Sequence, residues 1–192
     1  MEAAQQDDLH LTLAALRSEN ERLRLENEQY RKQFTELEAR HTDLANLYVA
    51  SYQLHGTLDR EGVVAAIQEI VINLIGSESF GVFECTADAM QPICAVGLSP
   101  EETFRVERLG HQLWGELQRG ELLLRPAAVG EWLAWLPLKI NGRVTGVIAI
   151  RQLLPHKEGL EPVDFELFDL LANQAATSLL CTSLLAQAQV PA

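Results

Sequence analysis

Basic residues are scarce in this chain: 15 Lys and Arg stand against 27 Asp and Glu, for a net charge of −12. That balance offers neither the phosphate-neutralising face that a nucleic acid demands nor a polybasic patch for an anionic membrane. Long apolar runs are missing too. The longest apolar helix candidate, Val63 to Ile75, is interrupted by Gln68, Glu69 and Asn73, so no membrane span is expected. The opening residues do not read as a secretory leader. Cysteine is sparse and odd in number, and Cys85, Cys94 and Cys181 sit at no spacing that would staple a small domain. Free thiols in a cytoplasmic protein are expected. Neither metal-ligand spacing nor a motif-placed carboxylate pair is present. No nucleic acid, membrane, metal or cofactor is therefore expected as a partner.

What the chain has in abundance is a seven-residue repeat. Alternating steps of four and three lead through Leu9, Leu13, Leu16, Asn20, Leu23, Asn27, Tyr30, Phe34, Leu37, His41, Leu44 and Tyr48. An average of 3.5 residues keeps one helical seam turned toward a partner, the pattern of a left-handed coiled coil. Leu13, Asn20, Asn27, Phe34 and His41 take the a positions; Leu9, Leu16, Leu23, Tyr30, Leu37 and Leu44 take d. The flanking charges choose the orientation. In a parallel, in-register dimer, Glu19 meets Arg24 and Glu26 meets Arg31 of the other chain, each pair contributing a few tenths of a kcal/mol. Asn20 and Asn27 act in the same direction, because a buried amide at a is satisfied only by its counterpart and so fixes register and two strands. A DNA-binding zipper is excluded by the acidic MEAAQQDD before Leu9. His41 reads as a tolerated polar seam residue. A helix from Leu9 to His55 is about 70 Å long at 1.5 Å per residue, too long to fold back on a domain this small, and is expected to project.

Beyond Gly56 the punctuation is that of a mixed domain. Asp59 caps a helix whose apolar stripe runs through Val63, Ile67, Ile70 and Leu74 and which stops at Gly76. Ser79 to Cys85 and Ile93 to Gly97 predict a hairpin. Ser99-Pro100-Glu101-Glu102 is a capping box with proline in the first turn, opening a helix toward Gly120. Glu121 to Arg125 predicts a short strand and Pro126 to Glu131 a loop. Trp132 to Ile140 and Arg143 to Arg151 flank Asn141-Gly142, the strongest short signal for a type I′ hairpin. Both of these strands are apolar on nearly both faces, which predicts a covered position inside a sheet. Pro162 opens the last helix, to about Gln187. Short turns between successive strands imply an antiparallel sheet and an α+β class. The expected organisation is a coiled-coil dimerisation helix at 1–55, a domain at 56–188 and a tail at 189–192.

Two stretches carry a resemblance. LPLKINGRVTGVIAI, Leu136 to Ile150, resembles the PL…G…GV hairpin of GAF domains, and DFELFDLLANQAA, Asp164 to Ala176, is similar to their final helix. Thr57-Leu58-Asp59 leading into the first domain helix resembles the family's opening. The resemblance covers about Leu54 to Gln187. It implies a GAF/PAS-like antiparallel sheet flanked by helices, a pocket with room for a small ligand on one face, and first and last helices that pack against a second protomer on the other. It also brings departures. The cyclic-nucleotide signature Asn-Lys-Phe-Asp-Glu is absent, no cysteine stands where bilins attach, and few residues link Arg125 to Trp132 to roof a cavity. No kinase, cyclase or DNA-binding segment follows the last helix in this sequence.

The function expected is therefore a non-enzymatic, cytoplasmic signalling adaptor or scaffold, a homodimer through its parallel coiled coil that presents a GAF-like domain to a protein partner. A second reading is a small-ligand sensor relaying pocket occupancy through its helices, with His111, Trp114 and Trp135 as pocket candidates. A third rests on Cys85 and Cys94 facing each other across the first hairpin, because one branch of the GAF family reduces free methionine sulfoxide with cysteines in that region. Against it, no His, Lys or Arg is adjacent in sequence to lower either thiol's pKa. Core packing accounts for Trp132, Trp135 and both cysteines equally well.

Overall fold

The computed structural model describes residues 2–57, 59–86, 90–124 and 133–188, with side chains at Leu13 and from Leu16 onward, Gln187 excepted. The side chain of Leu9, the connection at 125–132 with Arg125 and Trp132, and the tail at 189–192 lie outside the described residues. The chain divides into two compact units, 1–45 and 46–192. Helix α1 (Glu2–His55) contains neither Pro nor Gly, makes up the first unit, and lends Asn46 to His55 to the second.

In the second unit five strands form one antiparallel sheet: β1 (Ser79–Cys85), β2 (Met90–Val96), β3 (Leu123–Leu124), β4 (Ala134–Ile140) and β5 (Arg143–Gln152), in the order β2-β1-β5-β4-β3. The two most apolar strands, β5 and β4, hold interior places as their sequences predict. Asn141 (φ 50°) and Gly142 (φ 77°) make the turn between them. Asparagine tolerates the left-handed region and glycine enters it freely, so this dipeptide sets the hairpin register. The outer strands are blunted, β3 by its two-residue length and β2 by Pro92, which has no N–H to offer a further strand.

One face of the sheet carries the main core. Phe80, Val82, Leu136, Leu138, Ile148 and Ile150 meet helix α2 (Arg60–Glu69), helix α4 (Pro162–Leu170), helix α5 (Ala176–Ala188) and the end of α1, all but dry. Each such side chain contributes about 1.5–3 kcal/mol by leaving water. The end of α1 turns Leu47, Ala50 and Leu54 into this core, and Ser178 Oγ donates to the Leu54 carbonyl at 3.0 Å. The coil was expected to run to residue 55, yet this last stretch packs as part of the domain. A helix uses different faces along its length when residues three and seven apart, here 47, 50 and 54, are apolar outside the seam.

The opposite face carries helix α3 (Pro100–Leu117) over a smaller cluster of Phe83, Met90, Val106, Leu113, Leu117 and Trp135. Both caps form as the sequence predicts. Asp59 accepts the Gly62 N–H at 2.6 Å, while Ser99 Oγ accepts from the Glu102 N–H and the Glu102 carboxylate accepts from the Ser99 N–H at 2.8 Å. Helix α2 ends in a π-helical turn, Ile70–Ile75, closed by Gly76 at φ 79°, and a second π-helical turn, Leu171–Ala175, joins α4 to α5.

Glu102 also pairs with Arg151 on β5. The Ser99 backbone N–H, the Ser99 hydroxyl and then Arg151 hold its carboxyl below the ordinary glutamate range. A depressed pKa adds stability above the unfolded group's pKa, and that stability disappears as pH falls through the folded value. Glu102→Gln should therefore lower the melting temperature at neutral pH, and the gap from the unaltered chain should close below pH about 4. Thermal melts across that range measure it, and a gap that persists in acid would mean that packing, not charge, is what the substitution disturbs.

Candidate functional site

The first unit presents an uncovered apolar stripe. Leu16 is 62 % exposed, Leu23 51 %, Phe34 60 % and Leu37 65 %, and Leu13, Tyr30 and Leu44 are exposed as well. A stripe this long at 3.5-residue spacing is a surface whose apolar area remains in water in the single chain. Asn20, Asn27 and His41 lie along it and are exposed too. Within the chain Arg22 binds both acidic g residues, reaching Glu19 at 2.6 Å and Glu26 at 2.9 Å. It also holds the Glu19 carboxyl below its usual range. Spacings of three and four make these contacts local, so the pairs Glu19–Arg24 and Glu26–Arg31 between chains would compete with Arg22.

The domain separates the two thiols. The β1–β2 register sets Cys85 opposite Met90 and Cys94 opposite Val82, with an irregularity between Val82 and Phe83. Side chains alternate along a strand, so Cys94 joins the main core with Val82 while Cys85 joins the smaller cluster with Phe83. The hairpin therefore does not bring them face to face, and the offset of three residues between Val82 and Cys85 is the reason. Burial, and then the neighbouring Glu84 carboxylate, pushes the Cys85 thiol up to about 12. Burial also raises Cys94, partly offset by a hydrogen bond with Gln68 and one with the Val82 backbone. Both effects disfavour the thiolate that thiol chemistry needs.

Of the three pocket candidates, two share one cluster and the third stands apart. Trp135 is buried and Trp114 half-buried in the cluster under α3, whereas His111 is exposed. At Gly110 the space between α3 and the sheet is filled by side chains, whereas Trp114 and Gln118 line an open hollow of about 710 Å³ beside the Asn141-Gly142 turn. A Cβ placed on Gly110 would lie 2.2 Å from Met90 Sδ, which shows how closely the helix sits on the strands. Among the described residues no three His, Cys, Asp or Glu side chains gather as a metal site, and no helix is long and apolar enough to cross a membrane.

Two features escaped the sequence reading. Asp164 is fully buried, with Oδ1 accepting from Lys157 Nζ at 2.7 Å and Oδ2 from the Glu161 N–H at 2.7 Å, while Lys157 also donates to the Ile75 carbonyl at 2.8 Å. This clasp ties the loop before α4 to the end of the first π-helical turn. The Glu161–Asp164 spacing is a capping-box signal that could have found half of it. The other is a cavity of about 300 Å³ between the open end of the sheet and α5. No motif marks it, because its lining comes from five separate elements.

No protein-family model matches the chain, and no curated protein matches it. Solved structures do. The GAF domain of a putative sensor histidine kinase from Pseudomonas syringae pv. tomato superposes with a TM-score of 0.55 at 17 % identity, covering 81 % of this chain and 96 % of that one. The GAF domain of a phosphoenolpyruvate-protein phosphotransferase from Acinetobacter gives 0.53 at 15 %, covering 78 % and 97 %. That of the potassium sensor histidine kinase of Escherichia coli gives 0.52 at 17 %, covering 76 % and 98 %. The fold is that of GAF domains, as the two stretches resembling that family imply.

Proposed function

We propose that this chain is a non-enzymatic, cytoplasmic signalling adaptor that forms a parallel homodimer through α1 and presents its GAF-fold domain to a protein partner. The exposed apolar stripe from Leu13 to Leu44 carries this reading, since a heptad seam left in water asks for a second helix of the same pattern. The second copy is the occupant its residues favour: Asn20 and Asn27 meet their own counterparts at a positions, and the g and e residues are of opposite sign. Likeness to domains of sensor kinases supports a place in signalling. The thiol-reductase alternative gains no support, because Cys85 and Cys94 lie on opposite faces of the sheet.

The double substitution Asn20→Leu with Asn27→Leu tests the reading. Apolar residues replace polar ones in the seam, so the coil should melt higher. Leucine at both a and d no longer specifies two strands, so trimers, tetramers or misaligned pairs should appear in sedimentation equilibrium. Capture of a partner by the intact chain should fall while melting temperature climbs. A cleanly dimeric double variant of lower stability would place these asparagines outside the seam and would take the heptad assignment with them.

A further inference from the structure

The cavity beside α5 lies at the end of the sheet, between α5 and the residues of β1, β2, β4 and β5 that line it. Its apolar wall includes Ile93, Leu138, Ile140 and Leu179, and the small side chain of Ala176 lines it from α5. Its polar lining comprises Glu84, Thr86, Thr145 and Ser183. Arg60, at the start of α2, reaches across to two of these. It donates to Glu84 Oε2 at 2.8 Å and to Ser183 Oγ at 2.9 Å. The clasp joins α2, β1 and α5 at the cavity. It neutralises Glu84 while engaging one of its two carboxylate oxygens, and the other remains an acceptor.

We propose that this cavity binds a small, uncharged, largely apolar molecule carrying one hydrogen-bond donor, of the size and chemistry of indole. Its volume is at the lower end of ligand sites, which are mostly apolar with a few placed polar groups. An anion is disfavoured by the Glu84 carboxylate at this wall. A cation gains little, because Arg60 already supplies the positive charge. A flat apolar ring fits between the Leu138 and Leu179 walls, and its N–H or O–H finds the free oxygen of Glu84. Because Ser183 and Ala176 belong to α5, an occupant touches that helix directly. This proposal does not depend on the dimer.

Calorimetric titration of the full chain with indole tests it. Saturable binding at one site per chain is expected, with 1-methylindole, which lacks the N–H, bound about tenfold more weakly. Ala176→Leu fills the cavity from within, and Ser183→Leu, half-buried at its edge, blocks it with less risk to the fold; both should abolish binding. If Ala176→Leu fails to fold, Ser183→Leu decides. No saturable binding to the unaltered chain, or binding that survives Ser183→Leu, overturns the site, and equal affinity for 1-methylindole overturns the donor requirement.

Discussion

Lysine at Leu16, Leu23 and Leu37 together is expected to make the chain a monomer at micromolar concentration, where the proposed function has the unaltered chain sediment as a dimer. All three side chains are more than half exposed in the single chain. In a two-stranded coil they become six buried leucines, each contributing at least about 1.5 kcal/mol. Losing about 9 kcal/mol in this way exceeds the roughly 8 kcal/mol that a micromolar dissociation constant represents, and placing charges at d adds repulsion. Removal of residues 1–43 should act in the same direction, leaving only what association the domain itself supports. Sedimentation velocity of both forms is the measurement. A triple variant that stays dimeric would move the interface to the domain, where Tyr48, Tyr52 and Leu184 are exposed.

The second large effect belongs to the buried clasp. Asp164→Ala strips Lys157 of its carboxylate partner and leaves the Glu161 N–H without an acceptor. Removing one member of a buried ion pair costs about 3–5 kcal/mol. For a chain of this size that lowers the melting temperature by on the order of 10 °C. Lys157→Met should be as severe, since it strands a carboxylate that is fully buried. The pair Lys157→Met with Asp164→Leu should recover much of the loss, because apolar replacement of both partners avoids the unpaired charge. Thermal melts of the three variants decide. Three melts equal to that of the unaltered chain would show the clasp to be dispensable.

Where chemistry is local, the sequence announced the fold. Asn141-Gly142, Asp59, Gly76 and the Ser99–Glu102 box act within a few residues of themselves, and each stands where its turn or cap requires. The apolar stripe of α1 was legible for a different reason, because a repeat kept over five heptads lines one side of a helix. What stayed hidden depends on partners distant in sequence. Lys157 and Asp164 gain their significance from the carbonyl of Ile75, some eighty residues earlier. The faces of Cys85 and Cys94 depend on one irregularity at Val82/Phe83, which no composition signal marks. The inward turn of Leu47, Ala50 and Leu54 competes with a seam pattern that continues to Tyr48 in the sequence. The two π-helical turns have no residue signature at all. The cavity beside α5 exists only after β1, β2, the β4–β5 hairpin and α5 are assembled.

The parallel, in-register dimer is tested most directly by a cross-link at one seam position. Leu16→Cys, in a chain that also carries Cys181→Ser to remove the exposed native thiol, places a cysteine at d. In the proposed dimer each Cys introduced at position 16 faces its own counterpart. Mild oxidation should then convert most of the protein to a disulfide-linked dimer, with the link at position 16 in both chains by mass spectrometry. The same cysteine placed at Gln29, on the outer side of the helix, should link poorly. Equal linking at both positions, or none at position 16 in a sample that sediments as a dimer, would contradict a parallel seam.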